Sequence, residues 1–266
     1  MLQVGLSTLY LYMNGANFES VPAEVASDNP QGRPAFWELV DEGAHKLSRA
    51  RTKLIKDLAA IGYKFSIHAP FREVDLSSLE AGRRLASIRR IKESIDAASE
   101  IEASYIVVHP GGTKEGVKEA LIEGLFELFD YASSRGIKMG IENMPPIKDM
   151  AFVAPDEFLE FYKTAAQAPQ LVLDVAHAYI AGFLDHFIQK LTNRVLVVHC
   201  SDTNGLRDDH LKIGAGVVPW RTIISQMLGL GFAGNLSVES IAEPYASVSE
   251  LRDIVTNILA RKEWRR

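Results

Sequence analysis

Nine side chains of the kinds that bind divalent metal or carry protons recur at comparable places along this chain: His68, His109, Glu142, Asp174, His177, His199, Asp208, His210 and Glu239. Most of them close a short apolar run. His68 ends KFSIH, His109 ends YIVVH, Glu142 ends IKMGIE, Asp174 ends QLVLD, His199 ends VLVVH and Glu239 ends NLSVE. His177 follows three residues after Asp174, and Asp208 and His210 share the stretch RDDHLKIGAG. Imidazole and carboxylate donors without thiolate suit zinc, manganese, magnesium, cobalt or iron. Carboxylates gathered in one place repel each other, and a cation is their natural counter-charge. One such ion takes roughly four to six ligands, so nine donors imply either two or three ions or a division between metal and substrate. Five of the seven histidines belong to this set, while His45 and His186 fall at ordinary helix or loop positions.

Other features carry two readings each. The HPGG segment (109–112) offers backbone amides that could hold an anion, or it is a tight turn. The glycines of KIGAGVVPW (212–220) could approach a phosphate, or they turn the chain into the helix near Pro219. Alternation turns Cys200 away from the face that His199 shares, toward surrounding helices. Arg72, Lys148, Arg207 and Trp220 sit on loops where they could touch substrate or face solvent. Phe126, Phe129, Phe158, Phe161 and Phe187 read as helix packing.

These side chains need a scaffold that brings distant stretches together. Eight β-rich runs provide it: 2–6, 35–40, 64–68, 105–109, 137–142, 170–174, 195–199 and 235–239. Several are continuously apolar, as expected of parallel strands buried on both faces. Helical patterns separate them. Leu54, Leu58 and Ile61 form one stripe in 48–61, and Leu85, Ile88, Ile91 and Ile95 form another in 83–99. Helices are also expected at 116–134, 155–166, 219–229 and 247–262, with Pro155 and Pro219 in first turns and Gly62, Gly136 and Gly231 at helix stops. The stretch 10–34 reads as a long loop with one short helix near 18–27. Eight alternating strands and helices predict an α/β protein, a single (β/α)8 TIM barrel forming one domain over residues 1–266. In that fold, polar residues at the C-terminal strand ends face a shared site.

Composition narrows the function classes. The net charge of −5 argues against broad non-specific nucleic-acid binding, and the lone cysteine rules out an intrachain disulfide and a cysteine-based zinc site. No apolar run is long enough to span a membrane. The beginning MLQVGLSTLY lacks a basic segment and cleavage site, so a cytoplasmic location is expected. The closing RKEWRR reads as a frayed helix end.

Taken in order, HAPF, HPGG, IEN, DVAH, HCSD, DDHLKIGAG and the final VE resemble the motifs of the xylose isomerase-like TIM-barrel superfamily, over nearly the whole chain. That group includes sugar isomerases and epimerases and endonuclease IV. The resemblance to the isomerases implies one divalent ion (Zn, Mn, Mg or Co) held by Glu142, Asp174, His199 and Glu239. The two glutamates, Glu142 and Glu239, would then be catalytic, moving a proton at a sugar carbon. His177, His210, His68 and His109 would bind the carbohydrate substrate, and self-association is compatible with this. The resemblance to endonuclease IV implies three zincs held by all nine residues, with DNA as the partner. The match of residue types at all nine positions favours the nuclease, while two departures disfavour it. The first run reads GLSTLYLYMN rather than carrying a His-x-Ser segment, and NMPPIKDM replaces a glycine- and glutamine-rich stretch. The arginine that ketose epimerases place soon after the seventh-strand histidine has no match before Arg207.

Overall fold

Strands that are apolar on both faces can be satisfied only by parallel neighbours within the sheet and helices outside it. The computed structural model describes residues 2–27, 29, 32–112, 118–164 and 167–263, the last three as backbone, and it has this arrangement. Its elements in order are β1 (Gln3–Ser7), α1 (Leu9–Met13), α2 (Ser20–Ala26), β2 (Trp37–Val40), α3 (Arg49–Ala60), β3 (Phe65–His68), α4 (Ala81–Glu100), β4 (Tyr105–Val108) and α5 (Lys118–Ser134). There follow β5 (Lys138–Glu142), α6 (Pro155–Lys163), β6 (Gln170–Asp174), α7 (Val175–Ile180), α8 (Leu184–Leu191), β7 (Val195–Cys200), α9 (Trp220–Gly229), β8 (Asn235–Val238) and α10 (Pro244–Glu263). The strands pair in parallel in chain order, and β8 returns to β1 to close the barrel.

Residue alternation divides the apolar side chains into two layers. Phe36, Tyr105, Val107, Val172 and Val197 pack together as one small cluster. Their strand neighbours, including Trp37, Leu39, Ile106, Ile141, Leu173, Val198 and Cys200, belong to the larger core that also holds the helices. Cys200 therefore lies where alternation places it. The Phe36 ring leaves no room for a β-carbon at Gly5, which explains a glycine in the middle of β1.

Residues two apart share a face, so a chemical group at a strand's end stands in line with the small cluster. His68, Glu142 and His199 each follow an apolar or small residue two positions earlier, and Asp174 lies beside His199 in the β6–β7 register. That register slips between Leu171 and Val172, and the slip brings these two residues level.

Several sequence expectations change. Among its described residues the 10–34 stretch holds α2 and all of α1 but its first residue, Leu9, rather than one short helix. In α3 the packed residues are Thr52 and Ile55, whereas Leu54 and Ile61 are exposed. Leu85 is likewise exposed, while Ile88, Ile91 and Ile95 are buried. A helix's apolar residues outnumber the positions that its neighbours can cover, so a stripe drawn from residue type alone is rotated from the packed face. Gly62, Gly136 and Gly231 have positive φ just after α3, α5 and α9, as expected of helix stops. Pro155 opens α6, and Pro219 precedes α9 by one residue. The start of the 116–134 helix, the end of the 155–166 helix and the last residues of RKEWRR lie outside the described residues. Among those described, no helix is long and apolar enough to cross a membrane.

Candidate metal centre

The nine predicted residues meet at one end of the barrel. Six of them form groups whose donor atoms lie within 4.8 Å of one another: His68, His109 and Glu142; His68, His199 and Glu239; and Glu142, Asp174, His199 and Glu239. Glu142 is the hub. Its Oε2 lies 3.3 Å from His68 Nε2, 3.2 Å from His109 Nε2 and 3.4 Å from His199 Nδ1. His199 Nδ1 is also 3.4 Å from Glu239 Oε2, which puts the two glutamates on one imidazole nitrogen.

His177, Asp208 and His210 stand beside these groups rather than within them. Asp208 Oδ2 lies 3.2 Å from His177 Nε2 and 3.0 Å from His210 Nε2. His177 links the two regions, with its Nδ1 3.6 Å from Glu142 Oε1. His210 has a φ of 46°, a left-handed conformation uncommon outside glycine but one that histidine adopts more readily than most residues.

Backbone contacts aim these rings. The carbonyl of Ala69 lies 2.8 Å from His68 Nδ1, and that of Asn143 lies 2.9 Å from His177 Nδ1. A carbonyl only accepts, so each Nδ1 donates to it, and each Nε2 is turned to its carboxylate, to which it donates while the ring is protonated. Asp174 has two tasks. Its Oδ1 accepts from the His177 N–H at the start of α7, capping that helix, while its Oδ2 is buried without a hydrogen-bond partner.

The protonation states follow from crowding. Burial opposes charge on Glu142, but His199 and His109 outweigh it and hold the carboxyl well below the usual range. Burial pushes Glu239 up to about 7, with the Glu142 charge adding to the effect. It also raises Asp174. Burial works against charged His199, yet Glu239, Glu38 and Glu142 hold it well above its ordinary value. His177 is likewise pushed up to about 10 by Asp174 and Asp208 despite burial, and His210 up to about 9 by Asp208. Burial alone dominates at His109, which falls. Without a cation, then, protons on buried imidazoles neutralise the carboxylates.

A divalent ion fits this arrangement. Asp174 Oδ2 and His199 Nδ1 are both buried and lack hydrogen-bond partners, and both belong to the four-residue group with Glu142 and Glu239. Unpartnered buried donors converging within one ion's reach are what a metal would satisfy. A cavity of about 280 Å³ opens above them, lined by His68, His109, Glu142, His177, Asp208, His210 and Glu239 together with Leu9, Met13, Phe71, Arg72, Met144 and Pro145. A cleft of similar size between α5 and α6 contains none of these groups.

The structure decides between the two readings of each loop feature. Trp220 is buried in the outer core and does not reach the mouth. Lys148 and Arg207 are exposed and do not line the cavity, and Arg207 pairs with Asp209; only Arg72 of the four lines it. The glycine-rich 212–220 loop wraps a protein carboxylate instead of a phosphate. Buried Asp202 accepts from the N–H groups of Thr203, Gly214 and Val218. In HPGG the Gly112 N–H donates to Ser77 Oγ at 2.7 Å, which favours the turn reading. His45 packs against Tyr12 and Phe18, and His186 is exposed, so both stay outside the site.

Glu38 joins the site from outside the nine strand-end and loop residues. It sits in β2, fully buried, with Oε1 3.1 Å from His199 Nε2 and Oε2 accepting from Tyr105 Oη at 2.9 Å. Its signal was an acid in the middle of the apolar strand WELV, in phase with the strand-end ligands. Leu9 and Met13 line the cavity from α1, and Phe71, just beyond β3, packs on His68 and His109; apolar side chains carry no chemical signal in the sequence.

Known proteins share this framework. An uncharacterised protein of Methanocaldococcus jannaschii is 32% identical over 244 residues, covering 85% of this chain and 83% of the relative. The fructoselysine 3-epimerase of Shigella flexneri is 26% identical over 166 residues, 59% of this chain and 60% of the epimerase. A probable endonuclease 4 of Mycoplasmoides gallisepticum is 22% identical over 219 residues, 73% of this chain and 70% of that protein. Among solved structures, a D-tagatose 3-epimerase-like protein superposes with a TM-score of 0.87 at 27% identity, covering 98% of this chain and 99% of the other. The family model described as xylose isomerase-like TIM barrel matches residues 26–259, and the chain belongs to that family.

Proposed function

We propose that the chain is a divalent-metal-dependent isomerase or epimerase acting on a small sugar or sugar phosphate. The observation that carries this is the four-residue group Glu142, Asp174, His199 and Glu239, four donors from four successive strands within one ion's reach. These four would hold the ion. A bound divalent ion would polarise a substrate carbonyl and its neighbouring hydroxyl, acidifying the hydrogen on the carbon between them.

The protein's own part is proton transfer. Glu142 and Glu239 flank His199 Nδ1 and both line the cavity, so a substrate carbon held between them meets a carboxylate on each side. One glutamate takes the proton from carbon, an enediolate forms, and a proton returns to give the isomer. With the ion bound both carboxylates are deprotonated, so the one that takes the carbon-bound proton is the base, and the proton it has taken or one from solvent returns on either side. His177 and His210 would orient substrate oxygens, and His68 and His109 would bind beyond them. The similarity to epimerases supports this chemistry.

Incubating the metal-loaded protein with small ketoses and their phosphates in deuterated water tests it. One carbon-bound hydrogen beside the carbonyl should exchange, and Glu142→Gln and Glu239→Gln should each slow exchange by about 10²–10⁴-fold. Near-normal turnover in either variant contradicts the assignment.

One observation favours a second reading. His68, His109 and Glu142 form another ion-sized group, and with His177, Asp208 and His210 they would suit a three-zinc phosphodiesterase acting at abasic sites in DNA. Cleavage of an abasic-site duplex, with about three zincs per chain, would support that reading over the first.

A further inference from the structure

We infer that Glu38 is the positioning residue of the metal centre, fixing His199 so that Nδ1 rather than Nε2 is the atom offered to the cation. This rests on the metal reading above, but not on the identity of the substrate.

The imidazole of His199 has two unlike sides. Its Nδ1 points between Glu142 Oε2 and Glu239 Oε2, at 3.4 Å from each. Its Nε2 points away, to Glu38 Oε1 at 3.1 Å, an ion-pair contact in which neither atom has another partner and the ring is tilted off hydrogen-bond geometry. The other aimed histidines, His68 and His177, have backbone carbonyls against Nδ1 and turn Nε2 inward. His199 is reversed, and Glu38 stands where those carbonyls would. When a cation displaces the proton from Nδ1, a carboxylate beside Nε2 keeps the remaining proton there, so the Nδ1 lone pair is the one given to the cation.

Glu38 is itself held in place. Tyr105 Oη donates to its second oxygen at 2.9 Å, fixing the carboxylate plane. Both Glu38 and His199 are fully buried. An ionised carboxylate in the barrel interior is costly unless paired, and an apolar residue could fill the same volume. Ser66, level with Glu38 on β3, and Ser237, level with His199 on β8, make no hydrogen bond to the ring, so Glu38 is the charged group that faces Nε2. A carboxylate behind a metal-ligating imidazole also makes the ring a stronger donor, so its loss weakens metal binding.

Zinc titration of the full chain, as native protein and as Glu38→Gln and Tyr105→Phe, tests the inference. Zinc affinity should fall by roughly 10–100-fold in Glu38→Gln and by less in Tyr105→Phe. Nitrogen-15 spectra of zinc-loaded native protein should show His199 protonated at Nε2 and shifted by metal at Nδ1, a readout that needs no variant to fold. Zinc bound through Nε2, or Glu38→Gln binding zinc as tightly as the native chain, overturns the inference alone. A native chain that binds no zinc overturns it together with the metal reading, and a chain that binds zinc but exchanges no sugar hydrogen leaves it standing.

Discussion

Asn143 grips the backbone of Asp174 from the neighbouring strand, its Nδ2 donating to the Asp174 carbonyl at 3.0 Å and its Oδ1 accepting from the Asp174 N–H at 2.7 Å. The Asn143 carbonyl in turn faces His177 Nδ1 at 2.9 Å. A single residue just beyond β5 thus sets the height of Asp174 and the tilt of His177. Replacing it with alanine leaves a buried donor and acceptor unsatisfied. Asn143→Ala should lose about 1–3 kcal/mol of stability per orphaned group in urea denaturation, and bind metal more weakly even where folded. Unchanged stability and affinity would show that the paired strands hold Asp174 without it.

Metal uptake should release protons. In the metal-free chain His199 is held well above its ordinary value and Glu239 is pushed up to about 7, so both carry protons in the neutral range, His199 fully and Glu239 in part. A cation binds only the deprotonated forms. Apparent zinc affinity should therefore rise as pH rises from 6 to 8, and calorimetry in buffers of different ionisation enthalpy should record roughly one to two protons released at pH 7. Affinity that is flat or falls over that range contradicts these protonation states.

The end of β2 is secured by charge. Arg90 from α4 donates to Asp41 Oδ1 at 2.8 Å, to Oδ2 at 3.0 Å and to the Asp41 carbonyl at 2.8 Å, and Ser94 Oγ donates to Oδ2. Asp41 is buried, so Arg90→Met strands its carboxylate. The expected loss is about 3–5 kcal/mol by chemical denaturation, larger than for removal of an exposed pair such as Lys190–Asp156. Equal effects for the two would deny Arg90 this role.

Glu42 fixes the loop above the histidines. Its Oε2 accepts from the N–H groups of Phe71 and Arg72, both at 2.7 Å, and Phe71 packs on His68 and His109 at ring distances of 5.3 and 5.4 Å. In Glu42→Ala the amides of Phe71 and Arg72 should exchange with solvent at least about tenfold faster, the equivalent of ~1.4 kcal/mol, while those of α10 stay unchanged. Protection equal to the native chain would mean that this loop is held by its own packing.

Much of this was legible because barrel strands advertise themselves. A run such as QLVLD or VLVVH is apolar on both faces and then stops on a ligand-type residue, so fold and site appear in one signal. Tertiary context hid the rest. Glu38 lies inside a strand rather than at its end, and only the closed barrel reveals that it faces His199. Asp202 occupies the amides that a glycine-rich loop seemed to offer to phosphate. Leu54 and Leu85 match a helical stripe yet face solvent, because neighbouring helices decide which side is covered.

Metal analysis of the purified, exhaustively dialysed chain beside Glu142→Ala tests the convergence of these strands most directly, since Glu142 belongs to two of the ion-sized groups. The native chain should retain at least about one divalent ion per molecule, and Glu142→Ala, still folded, should retain none. A native chain that holds no zinc, manganese, cobalt or magnesium at micromolar concentrations, or a variant that holds as much as the native chain, would contradict the account.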